Sequence, residues 1–472
     1  MNETSLRVTS PAGLAVIITA AAGVSACILF TDPDVIQAFF GLPSVCALYL
    51  FCFWHQIRSS EMTWKRVDQW AWAILIGHTV YFLPGRDPRA LTQDQGFTAF
   101  IALQVAIWCL CLSYAVLRLL TCMGRLSNLR GPAGKYVTLF LLAAVASSLY
   151  AVSPVITMAW SLKLLSIVVV ACLLFDPRDP AGSCERFLEA TWLGLLVLLG
   201  FFLIVASLNP ESAFEVSRVG QVWRLGGSLF PPTKLSAVGG ILAMLSLVDI
   251  MQGVATRSTK AIFAFSLGTM VASVGRGGIL AAGVAMVIVV ALYQRIRLAM
   301  SLAALTGVVF ALVPGTASGS WEVLSRRQGL DEIATLTGRV PLWETALDLI
   351  KERPLLGWGY VSGSRVTLIA TFRKWQAVDA HNAFLQALLT LGVVGLSIVL
   401  VLLWKVMLRA WRAIHAGGGS PATHRRATAL LGLAVFLTVQ GLLEGALCSV
   451  PNFETAIFVG AGFWADYLRR TQ

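Results

Sequence analysis

Four residues stand out by type and by setting: three arginines and one histidine. Arg224 lies in GQVWRLGGSLFPPTK, Arg276 in ASVGRGGIL, Arg339 in TLTGRVPLW and His381 in DAHNAFLQALLTLGVVG. Arg276 is the sharpest case, because it occupies a short glycine-flanked turn between two apolar runs. A charge held at the edge of hydrocarbon costs up to a few kcal/mol on insertion scales and normally has a partner or a task. Gly275, Gly277 and Gly278 are expected to let the backbone approach a ligand closely. Arginine suits phosphate, since its planar fork binds two oxygens at once and keeps its charge. Imidazole titrates near neutral pH, so His381 suits proton abstraction from a hydroxyl. Asp379 would orient the ring or serve as base in its place, and Asn382 would cap the apolar helix that begins at once. The positive end of that helix is expected to lower the imidazole pKa and keep the ring neutral. The plainer readings are an Arg276 that snorkels to headgroups, an Arg339 solvated in a polar loop and a His381 at the surface.

The elements that must position these residues are membrane helices. The chain has 472 residues, of which 57% are hydrophobic and 13% charged. Soluble domains carry roughly 25% charged residues, so this composition excludes a soluble globular fold. Apolar spans read at about 12–30, 38–56, 68–83, 97–119, 136–150, 156–175, 187–207, 234–252, 261–274, 277–293, 298–314, 383–407, 428–446 and 454–468. They are long enough for helices and lack the alternating segments of a membrane barrel. The expected fold is an all-α polytopic membrane bundle of 12–14 transmembrane helices, the shorter spans leaving that range open. The first run, Pro11 to Phe30, reads as an anchor rather than a signal peptide. Most of the nine cysteines lie inside apolar spans, with no CxxC pair to suggest zinc or a disulfide framework. The net charge of +12 serves topology, and no nucleic-acid-binding motif accompanies it.

The short loops on one side hold clusters such as Arg58, Lys65 and Arg66, or Arg425 and Arg426. By the positive-inside rule both termini are cytoplasmic. Arg224, Arg276, Arg339 and His381 then fall together on the opposite face. Residues 315–382 form a long outer loop between transmembrane segments 1–314 and 383–472. Within that loop Pro341 to Glu352 reads as an amphipathic helix, with Leu342, Ala346, Leu349 and Ile350 on one side. No Walker A sequence is present, so nucleotide-driven transport is disfavoured. The long outer segments 209–233 and 315–382 carry no Asp-x-Asp pair, which favours metal-independent chemistry with no cofactor.

In order and spacing, SVGRGG, TGRVPLW, RPLLGWGY and HNAFLQALLTLGVVG resemble the O-antigen ligase family. That family lies in a larger group with O-antigen polymerases and protein O-oligosaccharyltransferases. The resemblance covers roughly residues 220–400. It implies a membrane-embedded glycosyltransferase of lipopolysaccharide biosynthesis, at the periplasmic face of a bacterial inner membrane. The donor would be a glycan on undecaprenyl pyrophosphate, and the acceptor a sugar hydroxyl of lipid A–core oligosaccharide. His381 corresponds to the proposed base, Arg276 and Arg339 to essential arginines, and Arg224 to a looser match. Lys163, a lysine in the middle of a span, is read as facing the pocket together with Asp379 and Asn382. A single displacement at the anomeric carbon would invert it. Partners would be these two substrates and membrane lipids.

Three rival readings share these residues. An O-antigen polymerase uses the same donor and a different acceptor, and a protein O-oligosaccharyltransferase uses a Ser or Thr side chain. A polysaccharide transporter would instead hold its ionisable residues at mid-membrane, often at broken helices.

Overall fold

The computed structural model describes residues 64–77, 99–208, 210–216, 223–227, 230–301, 303, 339–372, 379–416, 420–447 and 450–468. The protein is an all-α polytopic membrane bundle. Its principal helices are α1 (Trp64–Gly77), α2 (Ala99–Thr121), α3 (Gly134–Ala146), α4 (Pro154–Leu174), α5 (Pro180–Leu208) and α6 (Pro232–Gln252). They continue as α7 (Arg257–Ala272), α8 (Arg276–Leu292), α9 (Arg339–Glu352), α10 (Ala383–His415), α11 (Pro421–Leu443) and α12 (Phe453–Leu468). Two three-residue strands, β1 (Phe214–Val216) and β2 (Trp223–Leu225), pair antiparallel between α5 and α6, with Glu215 opposite Arg224.

Local chemistry sets the helix ends. Proline occupies the first turn of α4, α6 and α11, where its missing N–H is no loss. Ser420 caps α11 through Thr423 N–H, and Thr256 caps α7 through Thr259 N–H. Among the described residues, α4, α5 over Pro180–Ile204, α6, α10 and α11 are long and apolar enough to cross a bilayer. The helices α3 and α8 are apolar but shorter. The expected spans 12–30 and 38–56, and positions 304–338, lie outside the described residues.

The core is built around α12, which is buried along its whole length. A helix that is hydrophobic all round belongs inside a bundle. Its Trp464 meets Phe187 of α5 at 5.6 Å, and Phe187 meets Phe175 at 5.6 Å. Polar pairs gather at the two ends of α11. Near its start, Arg425 binds Asp249 at 2.7 Å and Glu185 at 3.1 Å, and Arg426 binds Glu185 at 2.6 Å. Glu444 follows its last residue. At 1.5 Å rise per residue, about 29 Å of helix separates Arg425 from Glu444. That matches a hydrocarbon core of about 30 Å.

The loop helix α9 extends over Arg339–Glu352 and buries Leu342, Ala346, Leu349 and Ile350. After it, residues 354–359 repair a break in α10. Gly392 has φ 65, a left-handed value that interrupts the helical ladder. Val393 N–H donates to Pro354 O at 2.8 Å, and Val394 N–H to Leu355 O at 3.4 Å. In return, Trp358 N–H donates to Leu389 O at 3.0 Å and Gly359 N–H to Thr390 O at 2.9 Å. Backbone groups freed within a membrane need such substitute partners. The RPLLGWGY motif is therefore the splice of a broken helix. An added Cβ at Gly392 would overlap the Leu355 backbone, so the close approach requires glycine.

Candidate active site

Three turns bring the site together, and each holds a non-glycine residue in the left-handed region: Val274 (φ 48), His381 (φ 46) and Leu447 (φ 60). Such strain persists only where surrounding contacts enforce it, and it clusters at functional sites. The His381 turn shows the enforcement. Its own N–H donates to Asp379 Oδ1 at 2.9 Å, Ala380 N–H donates to Gln386 Oε1 at 3.0 Å, and Trp343 Nε1 of α9 donates to Ala380 O at 2.9 Å.

Asn382 caps α10, accepting from Phe384 N–H and Leu385 N–H, both at 3.0 Å. Its Nδ2 donates to Leu442 O at 3.1 Å. The amide thus starts one helix and ties it to the end of another. His381 does not cap; its ring turns toward the end of α11.

There it meets Glu444, which organises the site and was not among the residues singled out by sequence. The Glu444 Oε2 lies 3.2 Å from His381 Nδ1, while Oε1 accepts from Arg339 at 2.8 Å. A second Arg339 nitrogen donates to Leu443 O. The Glu444 side chain is 5% exposed and that of His381 23%. Burial alone disfavours the Glu444 charge, but Arg339 and His381 outweigh it and hold the carboxylate well below its usual range. Burial likewise disfavours imidazolium, yet Asp379 and Glu444 outweigh burial and raise the His381 pKa. This corrects the expectation of a ring kept neutral by the helix end: the two carboxylates beside it favour the charged form. Asp379 Oδ1 is 3.6 Å from Nδ1, and an added Cβ at Gly445 would overlap the Asp379 carboxylate, so glycine there admits the contact.

Arg276 begins α8. Arg339 and Arg224 both lie within its electrostatic reach, and Arg339 also acts on His381. The four residues singled out from sequence therefore converge. The glycines around Arg276 do something other than expected. Added Cβ atoms at Gly275 and Gly278 would overlap Ser236 of α6, whose hydroxyl donates to Gly275 O at 3.0 Å. They let two helices pack closely rather than opening backbone to a ligand. Gly277 faces α11, where its Cβ would sit 3.5 Å from Gln440 and 3.7 Å from Glu444.

Two further groups join from α6 and α12. Lys234 pairs with Glu454, which also accepts from Asn452 Nδ2 at 2.7 Å, and both Lys234 and Glu454 interact electrostatically with Glu444. Lys163 has a different set of neighbours from those around Glu444. Its ammonium lies 4.1 Å from the Trp108 ring and 5.1 Å from Trp160, with Arg365 as its charged neighbour. Among the described residues, no three His, Cys, Asp or Glu side chains are arranged to hold a metal.

Fold and site together define a multi-pass helical membrane protein with a polar centre rich in arginine at one end of the bundle. Residues 261–400 match the family model described as O-antigen ligase, the family that the motifs resemble. The match spans Arg276, Arg339 and His381, whereas Arg224 and Glu444 fall outside it. It supports a ligase- or polymerase-type function in O-antigen or related glycan assembly, with a glycosyltransferase-like activity. A comparison with curated proteins returns no match.

Proposed function

We propose that the protein is an O-antigen ligase. It transfers a glycan from undecaprenyl pyrophosphate to a sugar hydroxyl of lipid A–core at the periplasmic face, without metal and with inversion. The observation that carries this reading is Glu444 held between Arg339 and His381 beside Arg276 and Arg224. With Nδ1 donating to Glu444, the His381 Nε2 lone pair is the one that accepts the hydroxyl proton. Glu444 then stabilises the imidazolium that forms, as the acid of a hydrolase triad does. The hydroxyl oxygen forms a bond to the anomeric carbon as the bond to the pyrophosphate oxygen breaks. Arg276 and Arg224 meet the negative charge that develops on the leaving pyrophosphate. Arg339 fixes Glu444 and adds to that positive field.

The family match and the donor-side arginines support polymerase equally, and the acceptor decides between the two. A transfer assay with purified protein tests the reading, offering lipid A–core and lipid-linked glycan as competing acceptors, with and without EDTA. Transfer to lipid A–core that persists in EDTA is expected. Extension of the lipid-linked glycan alone makes the protein a polymerase, and loss in EDTA restored by magnesium defeats the metal-free route. His381→Ala is expected to lower turnover by about 100- to 10,000-fold with donor binding retained. Equal loss of donor binding would move His381 into the pyrophosphate site.

A further inference from the structure

Lys163 and Arg365 lie within electrostatic reach of each other, on segments joined by the Thr157–Ser362 hydrogen bond. Lys163 lies ten residues into α4, a membrane-crossing helix, and is 5% exposed. Its ammonium sits against the faces of Trp108 and Trp160, whose rings are 5.9 Å apart. Arg365 is its charged neighbour. Among the described residues, neither side chain makes a hydrogen bond or an ion pair, and Arg365 Nε is buried without a partner. Several other buried cations of the bundle have a carboxylate partner: Arg125 has Asp68, Arg425 has Asp249 and Glu185, and Lys234 has Glu454.

Two like charges withdrawn from water repel each other and lose solvation, and each penalty falls when an anion joins them. Cation–π contact offsets part of the cost for Lys163 and supplies no counter-charge. The backbone that presents Arg365 is firmly placed. Gly359 (φ 99) and Val361 (φ 62) wind it into a single turn of π-helix, Gly363–Leu368. Thr157 of α4 bonds Ser362 at 2.9 Å, and Ser364 accepts from Gln386 at 2.7 Å. Along the same helices Leu110, Val155, Met158 and Leu162 are exposed apolar residues, so the centre borders the lipid-facing surface.

We propose that Lys163 and Arg365 bind a phosphate group, with the tryptophans walling the site on the lipid side, separately from the Arg276 centre. A lipid headgroup and a free phosphate share that chemistry, and competition between the two decides the source. The site stands independently of the transfer reaction. Its position is nonetheless one contact from it, because Gln386 holds both Ser364 and the Ala380 N–H of the His381 turn.

The test uses full-length protein in uncharged detergent, with native mass spectrometry to count bound dodecyl phosphate and inorganic phosphate as competitor. Wild type is expected to bind two dodecyl phosphates. Lys163→Met and Arg365→Gln should each weaken one of them at least tenfold and leave the other, which Arg276→Lys weakens instead. Lys163→Arg, which keeps the charge, should retain both, and this separates loss of the site from loss of the fold. Competition by inorganic phosphate at millimolar concentration assigns the site to free anions, and its failure assigns the site to lipid. Unchanged stoichiometry and affinity in Lys163→Met and Arg365→Gln would overturn the proposal, leaving the two cations with structural roles.

Discussion

Oε2 of Glu444 faces Nδ1 of His381 across 3.2 Å, joining the end of α11 to the start of α10. The contact sets which imidazole nitrogen carries its proton and which is left to accept one. It also gives Glu444→Gln a defined consequence. The amide keeps the shape and loses the charge, so the imidazolium formed in transfer loses its stabiliser. A fall in turnover of about 100-fold or more is expected, with donor binding little changed. Steady-state transfer and donor titration of the purified variant check this; wild-type turnover would remove Glu444 from the mechanism.

The pH dependence follows from the raised His381 pKa. Burial opposes the imidazolium, but Asp379 and Glu444 outweigh it, so the ring deprotonates above its ordinary value of 6.5. A base must be neutral, and transfer should therefore rise with pH to an inflection above that value. Stability runs the other way. The imidazolium–carboxylate contact contributes fully below the unfolded His pKa and is lost as pH rises through the folded one. In Glu444→Gln the inflection should move down. Rate profiles of wild type and variant, beside thermal unfolding across the same pH range, would expose an inflection that stays put.

Arg276→Lys and Arg339→Lys keep charge and remove the fork. For Arg339 the fork spans Glu444 and the Leu443 carbonyl, two partners that one ammonium point charge does not bridge in the same geometry. Transfer should drop at least tenfold in each variant. Near-normal rates in both, at normal protein levels, would reduce these arginines to structural roles.

Gly278→Ala tests the packing of α8 on α6. The added methyl meets Ser236 side chain and backbone, and overpacking of this kind costs about 1–3 kcal/mol. A lowered unfolding temperature is expected. Gly277→Ala, with its nearest neighbours at 3.5 Å, should be milder for stability. Reversal of that order would contradict the assignment of faces.

The expected orientation places α9 outside the cytoplasmic membrane. Asp348 is exposed on that helix. A cysteine at this position should react with an impermeant maleimide on cells whose outer membrane alone is permeable. Labelling that needs the inner membrane opened would invert the topology.

Much of the bundle was legible because hydropathy fixes where membrane helices run. The expected spans 156–175, 234–252 and 277–293 correspond to α4, α6 and α8 within two residues at each end. The apolar spacing in α9 was equally readable. The site was legible through its arginines and His381, whose types are unusual at the edge of apolar spans. Glu444 was hidden because it lay inside the run read as 428–446, although a lone acid in such a run is itself a signal. The role of Gly275 and Gly278 was misjudged, since sequence does not say that Ser236 stands opposite. The Gly392 break was invisible, because LTLGVVG reads as uninterrupted helix and its missing bonds are supplied by residues 354–359.

That splice carries a consequence for biosynthesis. Residues 354–359 leave the ribosome before α10, yet each is incomplete without the other. Until they meet, Leu389 and Thr390 carbonyls and Val393 and Val394 amides lack their final partners. Release of α10 into lipid before docking is therefore unfavourable, and the pair should leave the insertion machinery together. A chain halted between Gly359 and Gly392 would hold half a joint, which makes this junction the point where quality control can read whether the catalytic half has assembled.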